Sequence, residues 1–119
     1  MEGNEDSIEA LQMGAEQGIP IVQFILGMKY ASGEGIGKDD VKAAYWYEKS
    51  AEQGNVNGQY NIAWCYEKGV GVQEDPRKAF EWYKKAAEQG YDLAQYNLAW
   101  CYKKGIGVIQ NEAKAVEWW

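Results

Sequence analysis

Three groups of residues in this 119-residue chain have types and spacings that could do chemistry. Cys65 and Cys101 recur in the same setting, Ala-Trp-Cys-Tyr. The run Gly33-Glu34-Gly35-Ile36-Gly37-Lys38 is glycine-rich and ends in a cation, as loops that cradle phosphate do. Tyr60, Asn61, Trp64 and Lys68 return as Tyr96, Asn97, Trp100 and Lys104. That last set offers amides that bond a peptide N–H or C=O, flat rings for side chains to pack on, and ammonium groups for a carboxylate.

The first two groups do not support catalysis. A phosphate loop needs Gly at position 32 and Ser or Thr after the Lys; Ser32 and Asp39 stand there. The loop recurs as Gly69-x-Gly71 and Gly105-x-Gly107, which marks an inter-helix turn. The chain has no histidine, so the commonest general base and zinc ligand are missing. No Ser is followed three residues later by Lys. Carboxylates such as Glu81 and Glu88 fall on solvated helix faces. Cys65 and Cys101, one packed helix apart at about 8–10 Å, exceed the Cα separation of about 7 Å that a disulfide tolerates. They read as free packing thiols of a reducing compartment. No catalytic residue, metal site or cofactor is expected, and the chain reads as a non-enzyme. Cytoplasmic placement follows, with the periplasm or secretion open if a signal segment was removed.

The elements that must position the third group repeat. Glu-Gln-Gly ends at Gly18, Gly54 and Gly90, a step of 36 residues (54 − 18, 90 − 54). Gln23, Gln59 and Gln95 keep the step, as do Tyr30, Tyr66 and Tyr102, and Trp46, Trp82 and Trp118. Such a period signals a solenoid of stacked units. At 100° per residue, Gln59, Ile62, Ala63 and Tyr66 share one helix face, with Tyr60, Asn61, Trp64, Glu67 and Lys68 opposite. A second helix runs from about Asp75 to Gln89, with Asp75 as N-cap, Pro76 first and Gly90 after its end. Asp39 and Asn111 take the cap position in the other units. Ala79, Trp82, Tyr83, Ala86 and Ala87 form the apolar stripe of that helix. The linker 69–74 permits only an antiparallel hairpin, with equivalent turns at 33–38 and 105–110.

These positions resemble the Sel1-like repeat (SLR) family, a relative of the tetratricopeptide repeat. The pattern is carried by Gly58 or Ala94, Ile62-Ala63 or Leu98-Ala99, Tyr66 or Tyr102, Gly69-Val70-Gly71-Val72, Asp75, Lys78-Ala79, Trp82, Lys85-Ala86-Ala87 and Gly90. Leu26-Gly27 fits the family better than its counterparts at 63 and 99. The resemblance implies an all-α superhelical solenoid of antiparallel hairpins, stacked right-handed around a concave groove that binds proteins. It also implies a peptide-holding role for Asn61 and Asn97, since related helical-repeat proteins hold peptide carboxylates with an Asn there. The accompanying basic residues of that family are not clearly matched.

One domain is expected: a half-repeat or capping helix at 1–18, repeats at 19–54 and 55–90, and a truncated repeat at 91–119. The first helix is placed over about 5–17, capped by Asn4, with Ile8, Leu11 and Ala15 inward. Trp118 and Trp119 close an unfinished helix, which predicts a sticky C-terminal end. No run of about 18 apolar residues spans a membrane. The net charge of −6 argues against nucleic acid. Buried positions should include Ala63, Tyr66, Ala79, Trp82 and Ala86.

The functional expectation is a scaffold or adaptor whose groove takes a peptide or protein on Tyr60, Asn61, Trp64, Lys68, Tyr96, Asn97, Trp100 and Lys104. Phe24, Met28 and Ser32 extend the row. Lys68, Lys103 and Lys104 suggest an acidic segment or a free C-terminus. Alternatively the rings fold down and only cover the core. Two other roles stay open: a self-associating protein joined through the aromatic groove or the open end, and an immunity or inhibitor protein that blocks a toxin or enzyme.

Overall fold

The computed structural model describes residues 4–119, and these form seven helices with no strand among them. They are α1 (Asn4–Glu16), α2 (Pro20–Ser32), α3 (Asp40–Glu52), α4 (Val56–Lys68), α5 (Pro76–Glu88), α6 (Asp92–Lys104) and α7 (Glu112–Trp118). The expected cap of α1, the Asn4 side chain, lies outside what is described. Ile8 and Ala15 are buried and Leu11 packs against the core, as the stripe of α1 required.

Local chemistry sets the hairpins. Asp39, Asp75 and Asn111 each accept a hydrogen bond from the backbone N–H three residues on, at 3.0, 3.2 and 3.0 Å. The same residues donate their own N–H to the carbonyls of Tyr30, Tyr66 and Tyr102, at 2.9, 2.9 and 2.8 Å. One cap residue therefore starts the second helix and ties it back to the first. Gly71 shows why the turn needs glycine. Its φ is +75°, and a Cβ there would run into the Asp40 carbonyl of the preceding unit.

Consecutive helices pack into a rod of 55 × 25 × 21 Å. A 13-residue helix spans about 20 Å, so the helices lie across the rod and the units stack along it. The core is rich in alanine, with Ala63, Ala79, Ala86, Ala94 and Ala99 fully buried around Leu26, Ile62, Tyr83 and Leu98. Small residues let the helices approach closely. A Cβ on Gly58 would sit 2.9 Å from the Ser50 side chain.

The recurring glutamines join the units. Gln23, Gln59 and Gln95 donate to the carbonyls of Ala15, Ala51 and Ala87, at 2.9, 3.3 and 3.2 Å. Gln53 and Gln89 donate in turn to the side-chain oxygens of Gln23 and Gln59, at 2.7 and 2.9 Å. The Ala15, Ala51 and Ala87 carbonyls already accept the backbone N–H of Gly18, Gly54 and Gly90, so the glutamine is a second donor that ties one unit to the next.

One core expectation is corrected. Trp82 is only half-buried, with the Lys85 ammonium 5.7 Å from its ring centroid. Its neighbour Tyr83 is completely buried. Tyr83 reaches across to α4, where its ring meets Tyr60 and its hydroxyl meets Glu67, while the Trp82 indole packs only partly against the core.

Candidate functional site

The outward face of α4 and α6 carries all eight residues singled out from the sequence. Their burial is graded: Asn61, Asn97 and Tyr60 are half-buried, while Trp64, Tyr96 and Trp100 stay 42, 58 and 38% exposed. The rings therefore do not fold down to close the core. Tyr60 comes nearest to doing so, with its ring centroid 5.6 Å from Tyr83 and 5.1 Å from Tyr91.

Six of the eight gather in two cavities related by one repeat. Tyr60, Asn61 and Trp64 line a cavity of about 450 Å³ between the first and second units. Tyr96, Asn97 and Trp100 line one of about 140 Å³ between the second and third. Only the first falls in the range of about 300–1,000 Å³ usual for ligand sites. Lys104 Nζ lies 5.0 Å above the Trp100 ring, whereas Lys68 lines neither cavity. Lys103 points away from the row, over Trp119 at 5.2 Å. Phe24 packs against Tyr47 at 6.0 Å, and Met28 and Ser32 border a separate hollow of about 230 Å³. A hollow of about 470 Å³ beside Tyr66, Glu74 and Lys78 is lined mainly by polar groups of a connecting segment.

The sequence reading missed the second-helix contribution. Tyr47 on α3 and Tyr83 on α5 form the inner walls of the two cavities, and Lys38 and Asp40 border the first. Lys38 Nζ and Asp40 Oδ1 pair at 2.8 Å with both side chains well exposed. Glu67, which helical spacing puts on the same face as Trp64, accepts the Tyr83 hydroxyl through its Oε1 at 2.6 Å. The signal was present as a break in the repeat, because position 31, one step before Glu67, is Ala.

Burial governs the electrostatics. It raises the Tyr47 phenol above its ordinary value, against the lowering effect of the Asn61 side chain. Tyr83 is raised further by burial and then by the carboxylate of Glu67. Burial pushes the Cys65 thiol up to about 11 and Cys101 up to about 12. Both are unpaired and buried at the cavity floors, and neither is a thiolate at neutral pH. Among the described residues no group of three or more His, Cys, Asp or Glu is placed to hold a metal ion, and no helix is long and apolar enough to cross a membrane.

The Sel1 repeat family model matches residues 20–55, 56–91 and 92–119. Among solved structures, a protective antigen with an SLR fold from uropathogenic Escherichia coli is 36% identical, with a TM-score of 0.90. The match covers 93% of this chain and 24% of that one. A Sel1 repeat protein from Oxalobacter formigenes is 34% identical over 96% of this chain and 47% of that one, with a TM-score of 0.92. Cysteine rich protein B of Helicobacter pylori is 26% identical over 98% of this chain and 86% of that one, with a TM-score of 0.74. The chain thus spans about a quarter and about half of the first two. A comparison with curated proteins yields no match.

Proposed function

The chain belongs to the Sel1 repeat family, whose repeats generally mediate protein–protein interactions, and from that premise we propose that it is a non-enzymatic adaptor. Its aromatic groove would hold a segment of a partner protein on Tyr60, Asn61, Trp64, Lys68, Tyr96, Asn97, Trp100 and Lys104. The observation that carries this reading is the exposure of Trp64, Tyr96 and Trp100 in one row beside two cavities. Soluble proteins seldom leave such rings uncovered together unless they bind something. The absence of histidine and the raised thiols support the non-enzymatic part. The acidic balance of the chain supports a protein rather than a nucleic acid as partner.

The test uses peptides selected from a displayed random library on the immobilised protein. Truncating a central aromatic anchor typically costs more than about 2 kcal/mol of binding. The W64A/W100A double variant should therefore bind selected peptides at least about thirtyfold more weakly, with its helical circular dichroism unchanged. Equal affinity would move the site off this face. A concentration-dependent dimer that the double variant loses would assign the same rings to self-association instead.

A further inference from the structure

The two cavities are built from repeat-related residues, yet one is filled and the other open. In the second, Glu67 accepts a hydrogen bond from the Tyr83 hydroxyl and Lys104 covers the Trp100 ring. In the first, Ala31 stands where Glu67 would be, and among the described residues no lysine lies over Trp64. The smaller cavity, about 140 against about 450 Å³, has the Glu67 side chain in its lining where the larger has Ala31.

What remains around the open cavity is three rings, Tyr47, Tyr60 and Trp64, with Asp40 at the border. The face of an aromatic ring is electronegative and attracts cations, tryptophan most strongly. Rings of this chain do so often. Lysines lie 5.0 to 5.7 Å from the ring centroids of Tyr30, Tyr45, Tyr66, Trp82, Trp100 and Trp119. The two groove tryptophans differ in this: among the described residues, Lys104 lies over Trp100 and no lysine lies over the Trp64 ring.

We propose, building on the groove reading above, that the Trp64–Asp40 cavity receives an arginine side chain of the bound protein segment. Arginine fits better than lysine because its planar guanidinium stacks on a ring while forking two N–H donors toward a carboxylate. The Asn61 side-chain oxygen is a further acceptor on the wall. Lys38 already pairs with Asp40, but both partners are exposed, and such pairs hold weakly enough for a guest to displace. The net charge of −6 favours the approach of a basic segment. This is the opposite charge preference to the acidic segment expected from Lys68, Lys103 and Lys104, one of which lies over Trp119 and another over Trp100.

The probe is Nα-acetyl-arginine amide, titrated into the whole chain and followed by NMR at the Ala31 and Ala43 methyls and the Asn61 side-chain amide. Nα-acetyl-citrulline amide is the uncharged control of the same shape. The arginine probe should produce saturable shifts and bind at least about fivefold tighter than citrulline. Asp40→Asn should weaken binding of the arginine probe about threefold or more, with the rings keeping a smaller preference over citrulline. Ala31→Leu, which fills the cavity, should abolish the shifts while leaving melting and helicity intact. Equal binding of the two probes, or arginine binding unchanged by Asp40→Asn, overturns the assignment, as does the absence of shifts with either probe. If library-selected peptides still depend on Trp64 and Trp100 in that last case, the groove stands and only the arginine pocket is lost. If they do not, the groove falls as well.

Discussion

The Tyr83 hydroxyl donates to Glu67 Oε1 across 2.6 Å, joining α5 to the outward face of α4. Tyr83 is fully buried, so this bond is what satisfies its hydroxyl. It also places a carboxylate in the lining of the second cavity.

Glu67→Ala should therefore do two things. It leaves the Tyr83 hydroxyl short of an acceptor, at a cost of about 1–3 kcal/mol. It also opens the second cavity toward the size of the first. Urea unfolding measures the stability change, and the E67A/Y83F double variant should recover part of it because the stranded hydroxyl is gone. Equal stability of E67A and wild type would show that water serves Tyr83 as well as Glu67 does.

Neighbouring residues on α5 should respond unequally to truncation. Tyr83→Ala removes a completely buried ring and should cost about 3–5 kcal/mol. Trp82→Ala removes a half-buried ring covered by Lys85 and should cost about half as much. In a domain with a total stability of about 5–15 kcal/mol, only the first change endangers folding. The ratio of the two shifts in urea midpoint reads this directly, and a larger loss from Trp82→Ala would reverse the assignment.

That pair also shows what was legible in the sequence. The repeat step and the caps at Asp39, Asp75 and Asn111 give the hairpins and their turns, because helix starts and glycine turns are local chemistry. Helical spacing likewise puts Tyr60, Asn61 and Trp64 on one face. Spacing does not say which of two adjacent aromatics is fully buried, since that depends on the shape of the neighbouring helices. Nor does it bring Tyr47 and Asp40 to the groove, because they come from α3 and meet α4 only through the packing of one unit on the next. The contrast between Ala31 and Glu67 was visible as letters, but its meaning needed the Tyr83 hydroxyl in place.

Two glycines that both have positive φ should differ in their tolerance. Gly71 and Gly90 have φ of +75° and +91°. A Cβ on Gly90 meets nothing within 4 Å, whereas one on Gly71 strikes the Asp40 carbonyl of the preceding unit. Gly90→Ala should cost the backbone strain alone, about 1 kcal/mol. Gly71→Ala should cost more than about 2 kcal/mol, because stacked helices must also move apart. Thermal melting of the two variants side by side checks this. Matching losses would mean that the interface between units yields freely.

The thiols give a prediction that depends on pH. Cys65 is held at about 11 and Cys101 at about 12, against 9.0 for the unperturbed group, first by burial and then by the charges of Asp40 and Glu67. Folding thus favours the protonated form. The resulting stability is fully present below pH 9 and is lost as pH rises through 11 and 12. Tyr66, raised to about 12 by burial and then by Glu48, loses its share in the same range. Melting temperature should hold through neutral pH and drop steeply above about pH 9. Reactivity separates the thiols from the phenols. At pH 8 the folded Cys65 is about a hundredfold poorer in thiolate than the unfolded chain, so an aromatic disulfide reagent should label it about a hundredfold more slowly. Cys65→Ala should leave the slower Cys101 reaction alone, and Cys101→Ala the faster one. Labelling of the native protein at the rate of unfolded chain would show that the cavity floors are open to reagent and that burial does not hold these thiols protonated.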